Sequence, residues 1–533
     1  MIINSGPIKG INPYIVFISL GLIAGFTLFT LIEPDFSALL IDQTRTFITL
    51  STNAWYVGLA AIFLVFCIWL AFSRHGDIRL GDDNERPEFG YFSWFAMLYA
   101  AGQGIGIIFW SIAEPMFHFS SGTPFGESAA LSSAAAEEAM KVTFFHWGLN
   151  AWAIYCVVGI SLAFVCYRLK KPLSIRYTLY PLLGDKVNGW VGVTVDVIAV
   201  FATLFGIATS LGLGVQQINA GLNAIWDIPQ NLKVQLILIV VISACALVSV
   251  LTGLKRGIKY LSVANMWLTF ILLAFFLILG PTVYIVKLLV SSTMDYLVNL
   301  VPMNAFIEPQ SQSWGDEDAT WKSMWQGWWS VFYWGWWMSW APFVGVFIAR
   351  VSRGRTIREF ILGVVGVSSI LSFVWLAAYG GTALNIDLVG SGGIVDTVKG
   401  NVADALYATI AGMDAGTIGY IATIGGTLLV STYFITSSDS GTLVLTTIMS
   451  EGNENPLKRH RIFWGVIQGL MAGILLTAGG SAALSTLQTA SIAAALPFSL
   501  IMVLMCIALA KGVRAESRKI QEATLISARQ GGA

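Results

Sequence analysis

The chain has 533 residues, 56% of them hydrophobic and 11% charged, with a net charge of zero and a mean hydropathy of +0.73. Soluble proteins carry about 25% charged residues, so this chain has too little polar surface for water. Its solvent is a bilayer, and lipid rather than nucleic acid is the expected surrounding.

A span needs about 20 mostly apolar residues. Twelve segments qualify, approximately 13–32, 54–73, 92–112, 142–166, 189–214, 234–253, 262–285, 325–349, 359–382, 417–449, 461–481 and 484–510. Residues 1–12 lead directly into the first span with no small-residue cleavage site at its end, so that span is expected to remain in the mature protein. With twelve spans both termini share one side, and that side collects 24 of the 30 Lys and Arg residues. The other side holds only Arg45, Lys141, Lys233, Lys287, Lys322 and Lys399. The positive-inside rule puts both termini in the cytoplasm. The five cysteines, Cys67, Cys156, Cys166, Cys245 and Cys506, fall in apolar spans without C-x-x-C spacing, which reads as small buried hydrophobes.

In chain order, the third span carries Gly102, Gly104 and Gly106 around Gln103. Each glycine costs about 1 kcal/mol against alanine in a helix, so the run predicts local unwinding. A nucleotide-binding glycine loop needs a strand before it and a βαβ context, which an apolar helix does not supply. The fourth span brings Trp147, Trp152 and Tyr155 to one side of a helix. Residues 286–306 have apolar residues at helical spacing and predict an amphipathic helix at the outer interface. Residues 391–412 are similar.

The eighth span is the most informative. Trp325, Trp329, Phe332, Trp336, Trp340 and Phe343 fall on one helical stripe with Trp337 beside it. Membrane tryptophans normally collect at the interfaces, whereas Trp336, Trp337 and Trp340 cluster at mid-span. Aromatic faces attract cations, and such cages hold quaternary ammonium groups. A trimethylammonium has no hydrogen to donate, so rings suit it better than a carboxylate does. The tenth span contains Thr436, Ser437, Ser438, Asp439, Ser440 and Gly441, read as a second break. Irregular backbone at membrane depth lines cavities and marks transporter sites.

Phe332, Tyr333, Trp334, Gly335, Trp336, Trp337, Met338, Ser339, Trp340, Ala341, Pro342 and Phe343, followed by Arg350, Arg353, Arg355 and Arg358, resemble the signature of the betaine/choline/carnitine transporter family. Gly102–Gly106 with Phe109, Ala113, Glu114 and Pro115 is similar to that family's third span. The resemblance covers nearly the whole chain. It implies an all-α polytopic membrane protein with 12 transmembrane helices, two at the N-terminus preceding a 5+5 inverted-repeat (LeuT-like) core. The expected divisions are 1–88 for the tail and spans one and two, 89–285 for the first repeat, 286–317 for the interfacial helix and outer loop, 318–510 for the second repeat, and 511–533 for a short cytoplasmic tail.

By the same resemblance the protein is a multi-pass bacterial inner-membrane symporter, a homotrimer, with no cofactor other than sodium as coupling ion. It implies substrate contacts at Trp147, Trp152, Tyr155, Trp336, Trp337, Trp340, Gln103, Gly104 and Phe109. It implies a sodium site at Ala100, Gln103, Tyr433, Thr436 and Ser437. A second sodium site at Thr203 and Phe343 is in doubt, because Ile207 stands where a second threonine is expected. Gly106 lacks the acid that proton-coupled choline carriers tend to have there, which favours a zwitterion such as glycine betaine, carnitine, ectoine or dimethylsulfoniopropionate. Proton-coupled choline uptake and sodium-independent exchange are the alternatives.

Glu114, His146, Asp196 and Asp439 are ionisable residues in or near spans and functional candidates by position. Glu114 and His146 are expected near the outer ends within reach of water, and Asp196 and Asp439 as structural partners. With four scattered histidines, no H-E-x-x-H and no paired carboxylates at helical spacing, the sequence shows no catalytic machinery.

Overall fold

A computed structural model describes residues 2, 9–252, 257–310 and 320–531. Lys255, Arg256 and residues 311–317 of the outer loop lie outside the described residues, as do the side chains of Ala100, Lys259 and Arg529. Among the described residues every regular element is a helix, apart from one isolated bridge between Arg79 and Thr356.

The main helices are α1 (Pro13–Ile32), α2 (Pro34–Phe72), α3 (Tyr91–Gly102), α4 (Gly104–Ser121), α5 (Ser133–Trp147), α6 (Leu149–Ala163), α7 (Trp190–Trp226), α8 (Leu232–Thr252), α9 (Gly257–Leu279), α10 (Thr282–Val298), α11 (Ser330–Arg350), α12 (Ser368–Val389), α13 (Gly416–Met449), α14 (Lys458–Gly479) and α15 (Ala483–Gly531). Local chemistry sets several starts. Asn12 caps α1 by accepting from the amides of Tyr14 and Ile15, with Pro13 in the first turn where its missing N–H costs nothing. Ser132 caps α5 through the Ala135 amide.

Nine helical segments among the described residues are long and apolar enough to cross a membrane, or up to eleven if each of two bent pairs is one span. One bent pair is α3 with α4, turned by 68°. The other joins residues 263–279 to α10 at 104°, where Gly280 and Pro281 end one helix before the next begins. The 21-residue α11 lies outside that count because its tryptophans and tyrosine carry polar atoms.

One expectation needs correcting, and two helices start earlier than expected. The tenth span does not break: α13 is continuous from Gly416 to Met449. Thr432, Thr436, Thr442 and Thr446 donate to carbonyls three or four residues back and Ser438 reaches Gln468 on α14, so the helix accommodates the polar run without unwinding. Residues 511–531 are helical and continue α15. The interfacial helix starts at Thr282, and the second span is the end of a 39-residue helix that begins at Pro34.

The arginine-rich end is held by ion pairs rather than by free charge. Arg168 meets Asp83 and Glu516, Arg350 meets Glu454, Arg353 meets Glu85, and Arg358 meets Asp77. Inside, α11 packs against α6, α7 and α15, while α13 packs against α7, α4 and α9. The third-span helix α4 lies on α12, and α8 lies on α14. The centre of the protein is therefore where α4, α6, α7, α11 and α13 meet.

Candidate functional site

The helix break at Gln103 and the aromatic clusters form one site. A side-chain carbon on Gly102 would lie 2.5 Å from Cη2 of Trp152, on Gly106 2.6 Å from Cη2 of Trp336, and on Gly104 3.4 Å from Cη2 of Trp340. Real Cβ atoms do not approach below 3.0 Å, so Gly102 and Gly106 are the space that two indoles fill. Gly104 also has φ +49°, a left-handed conformation that favours glycine. The glycine run thus breaks the helix and admits three tryptophans from two other helices.

The rings are ordered against one another. Trp336 and Trp337 stack at 4.9 Å with their planes 14° apart, and Trp147 meets Trp337 edge-on at 4.8 Å. Tyr155 bridges them, 6.0 Å from Trp337 and 5.8 Å from Trp152. Trp147, Trp152, Tyr155, Trp336, Trp337 and Trp340 are all buried. Several are fixed at their polar edge. Trp147 Nε1 donates to Glu114 Oε2 (2.7 Å), Trp337 Nε1 to the His146 carbonyl (2.9 Å) and Trp152 Nε1 to Ser372 Oγ (3.3 Å). Three buried polar atoms, Trp336 Nε1, Trp340 Nε1 and the Tyr155 hydroxyl, have no hydrogen-bond partner. Buried polar groups are normally paired, so these edges are suited to a polar ligand atom.

The other expected residues divide. Gln103 is buried, but its amide donates to Ser372 Oγ at 2.8 Å, leaving only Oε1 unpaired. Phe109 stacks edge-on with Trp110 at 5.4 Å. Trp110 joins Trp329, Phe332 and Tyr333, a second aromatic group beside the cage. The predicted stripe on the eighth span is interrupted, because Trp325–Trp328 is a separate turn and the chain breaks at Trp329 before α11.

For the ion, Ser437 Oγ lies 3.6 Å from the Cβ position of Gly104, so α13 meets the break directly. Thr436 Oγ1 donates to the Thr432 and Tyr433 carbonyls and accepts from Asn265 Nδ2 (3.1 Å). These are hydroxyl and carbonyl oxygens, the hard neutral donors that suit an alkali cation. Ala100 sits in the last turns of α3. At the doubtful second site, Thr203 Oγ1 donates to the Ala199 carbonyl (2.7 Å) and Phe343 packs on Trp340 (5.4 Å). Ile207 fills the space at Gly441.

Sequence reasoning missed Asn265 and Ser372; Asn265, the one amide in its apolar span, is a signal that could have been read, whereas Ser372 follows Ser368 and Ser369 and carried none. It also misplaced Glu114 and His146. Both are fully buried, with His146 Nδ1 2.6 Å from Glu114 Oε1. Asp196 and Asp439 are buried and ion-paired. Asp196 takes Arg176 and Ser174, and Asp439 takes Arg461 and Ser249.

Residues 14–518 match the profile described as "BCCT, betaine/carnitine/choline family transporter". The chain is 42% identical over 509 residues to the glycine betaine transporter OpuD of Bacillus subtilis, covering 96% of each. It is 40% identical over 502 residues to a probable glycine betaine transporter of Desulfitobacterium hafniense, covering 94% of this chain and 97% of that one. A glycine betaine transporter of Vibrio parahaemolyticus is 41% identical over 504 residues, 94% of this chain and 93% of its own. Family and relatives are transporters rather than enzymes, and the chain belongs to the betaine/carnitine/choline transporter family.

Proposed function

We propose that the protein is a symporter that imports a small zwitterionic quaternary-ammonium or sulfonium compound, glycine betaine foremost, on the sodium gradient. The observation that carries the reading is the fit of Gly102, Gly104 and Gly106 to Trp152, Trp340 and Trp336. It gathers ring faces from α6 and α11 at a helix break, where a desolvated cation gains about 2 kcal/mol per face. The unpaired indole N–H groups of Trp336 and Trp340 are donors for the carboxylate of a zwitterion. Choline is disfavoured, since Gly106 supplies no acid for a cation that lacks a carboxylate of its own.

Sodium sits between the α3–α4 break and α13, with Ser437 and Thr436 as its hydroxyls. One such site operates, because Ile207 closes the second. A 5+5 inverted repeat is supported by matched packing. Exchanging spans five apart turns the α11–α6 contact into the α4–α12 contact, and the α15–α7 contact into the α9–α13 contact. With each bent pair and α11 counted as one span, the helices among the described residues make twelve. Exposed Val283, Val286, Val290, Met294 and Val298 on α10 offer an apolar face for a homotrimer. The arginine-rich end, holding both termini, faces the cytoplasm of a bacterial inner membrane.

Competition of labelled glycine betaine in reconstituted vesicles by carnitine, ectoine, dimethylsulfoniopropionate and choline tests the substrate class. Inhibition by the zwitterions and not by choline is expected. Inhibition by choline alone would overturn the reading.

A further inference from the structure

Outside the cage, Glu114 and His118, one turn apart on α4, meet His146 near the end of α5. One ligand atom from each lies within 4.8 Å of the others. Glu114 Oε1 is 2.6 Å from His146 Nδ1 and 3.5 Å from His118 Nε2. All three side chains are buried, and His118 Nε2 has no hydrogen-bond partner. Among the described residues the ionic partners of Glu114 are these two histidines, and no lysine or arginine reaches it. A buried carboxylate without a fixed cation is costly. Two imidazoles and a carboxylate are the His₂Glu set of zinc sites, and residues four apart on a helix present both ligands on one face. Bonds of about 2.0–2.2 Å in a tetrahedron put ligand atoms roughly 3.4 Å apart, so modest side-chain shifts close these three around one ion.

We propose that Glu114, His118 and His146 form a binding site for a zinc-class divalent transition metal, and that its occupancy slows transport. The set is imidazole and carboxylate, which suits zinc, cobalt or nickel better than sodium or calcium. The cluster lies between two layers. On one side the His118 ring packs 4.4 Å from Trp329 and 5.5 Å from Trp325, both only half-buried, so one aromatic layer separates the cluster from the surface. On the other, Glu114 holds the Trp147 indole and the His146 carbonyl holds that of Trp337. A metal pinning Glu114 and His146 therefore stiffens two rings of the cage. The effect on transport rests on the cage reading, whereas metal binding does not.

The test uses the purified full chain stripped with chelator, titrated with Co²⁺ followed by its visible absorption and with Zn²⁺ in competition. One ion per chain is expected, with affinity reduced at least 10-fold in His118→Gln and in His146→Gln. His118→Gln should retain metal-free uptake and lose inhibition by Zn²⁺. Absence of stoichiometric binding, or binding unchanged in both variants, would overturn the site. Binding without inhibition of wild-type uptake would overturn its effect on transport. A protein that binds metal but never takes up betaine would count against the transport reading instead.

Discussion

Replacing Gly106 by alanine should damage substrate binding with little change elsewhere. The added methyl would stand 2.6 Å from Trp336 Cη2, 3.2 Å from Cζ2 and 3.3 Å from Cζ3. Carbon atoms rest about 3.5–4.0 Å apart, so the closest overlap is roughly 1 Å. Trp336 cannot easily swing clear, because it is stacked between Trp337 at 4.9 Å and Phe332 at 5.3 Å. Overpacking of this kind costs about 1–3 kcal/mol, which in binding is a loss of about 5- to 150-fold. Equilibrium binding of labelled glycine betaine to purified Gly106→Ala, with its thermal unfolding, measures the effect. Gly58→Ala is the control, since a methyl there meets nothing within 4 Å and alanine is the better helix former. Wild-type affinity in a normally folded Gly106→Ala would refute the fit between the glycine run and the tryptophans.

Removing ring faces should be as severe: Trp337→Ala or Trp340→Ala should abolish uptake at normal expression, with binding weakened about 30-fold for a loss of ~2 kcal/mol. Unchanged uptake kinetics would count against the cage. Thr436→Ala with Ser437→Ala should raise the sodium concentration needed for half-maximal uptake, read in a sodium titration, and an unaltered sodium curve would displace the ion from α13. Arg461→Ala leaves Asp439 buried without its guanidinium, a loss of about 3–5 kcal/mol. A clear drop in the unfolding temperature in detergent is expected, and an unshifted midpoint would show that the pair is not structural.

The helix break at Gln103 was legible because three alternate glycines are expensive in a helix. The break expected in α13 was not there, because its threonine hydroxyls find acceptors on the helix itself and Ser438 finds a partner on α14. A run of polar residues alone does not distinguish these outcomes. The aromatic residues of α6 and α11 were legible as clusters, but not the pairing of each tryptophan with its own glycine, which depends on how three helices cross. Glu114 and His146 are 32 residues apart, and only the packing of α4 on α5 shows that one carboxylate holds both His146 and Trp147. Asn265 and Ser372 escaped for the same reason, since a single amide or one hydroxyl among several gains meaning from the helix facing it.

Uptake of labelled glycine betaine into vesicles reconstituted with the purified protein, under an imposed sodium gradient or an imposed proton gradient, tests sodium-coupled import most directly. Concentrative uptake with the sodium gradient, and none with the proton gradient in sodium-free buffer, is expected. Accumulation driven by protons without sodium, or exchange indifferent to either gradient, would contradict it.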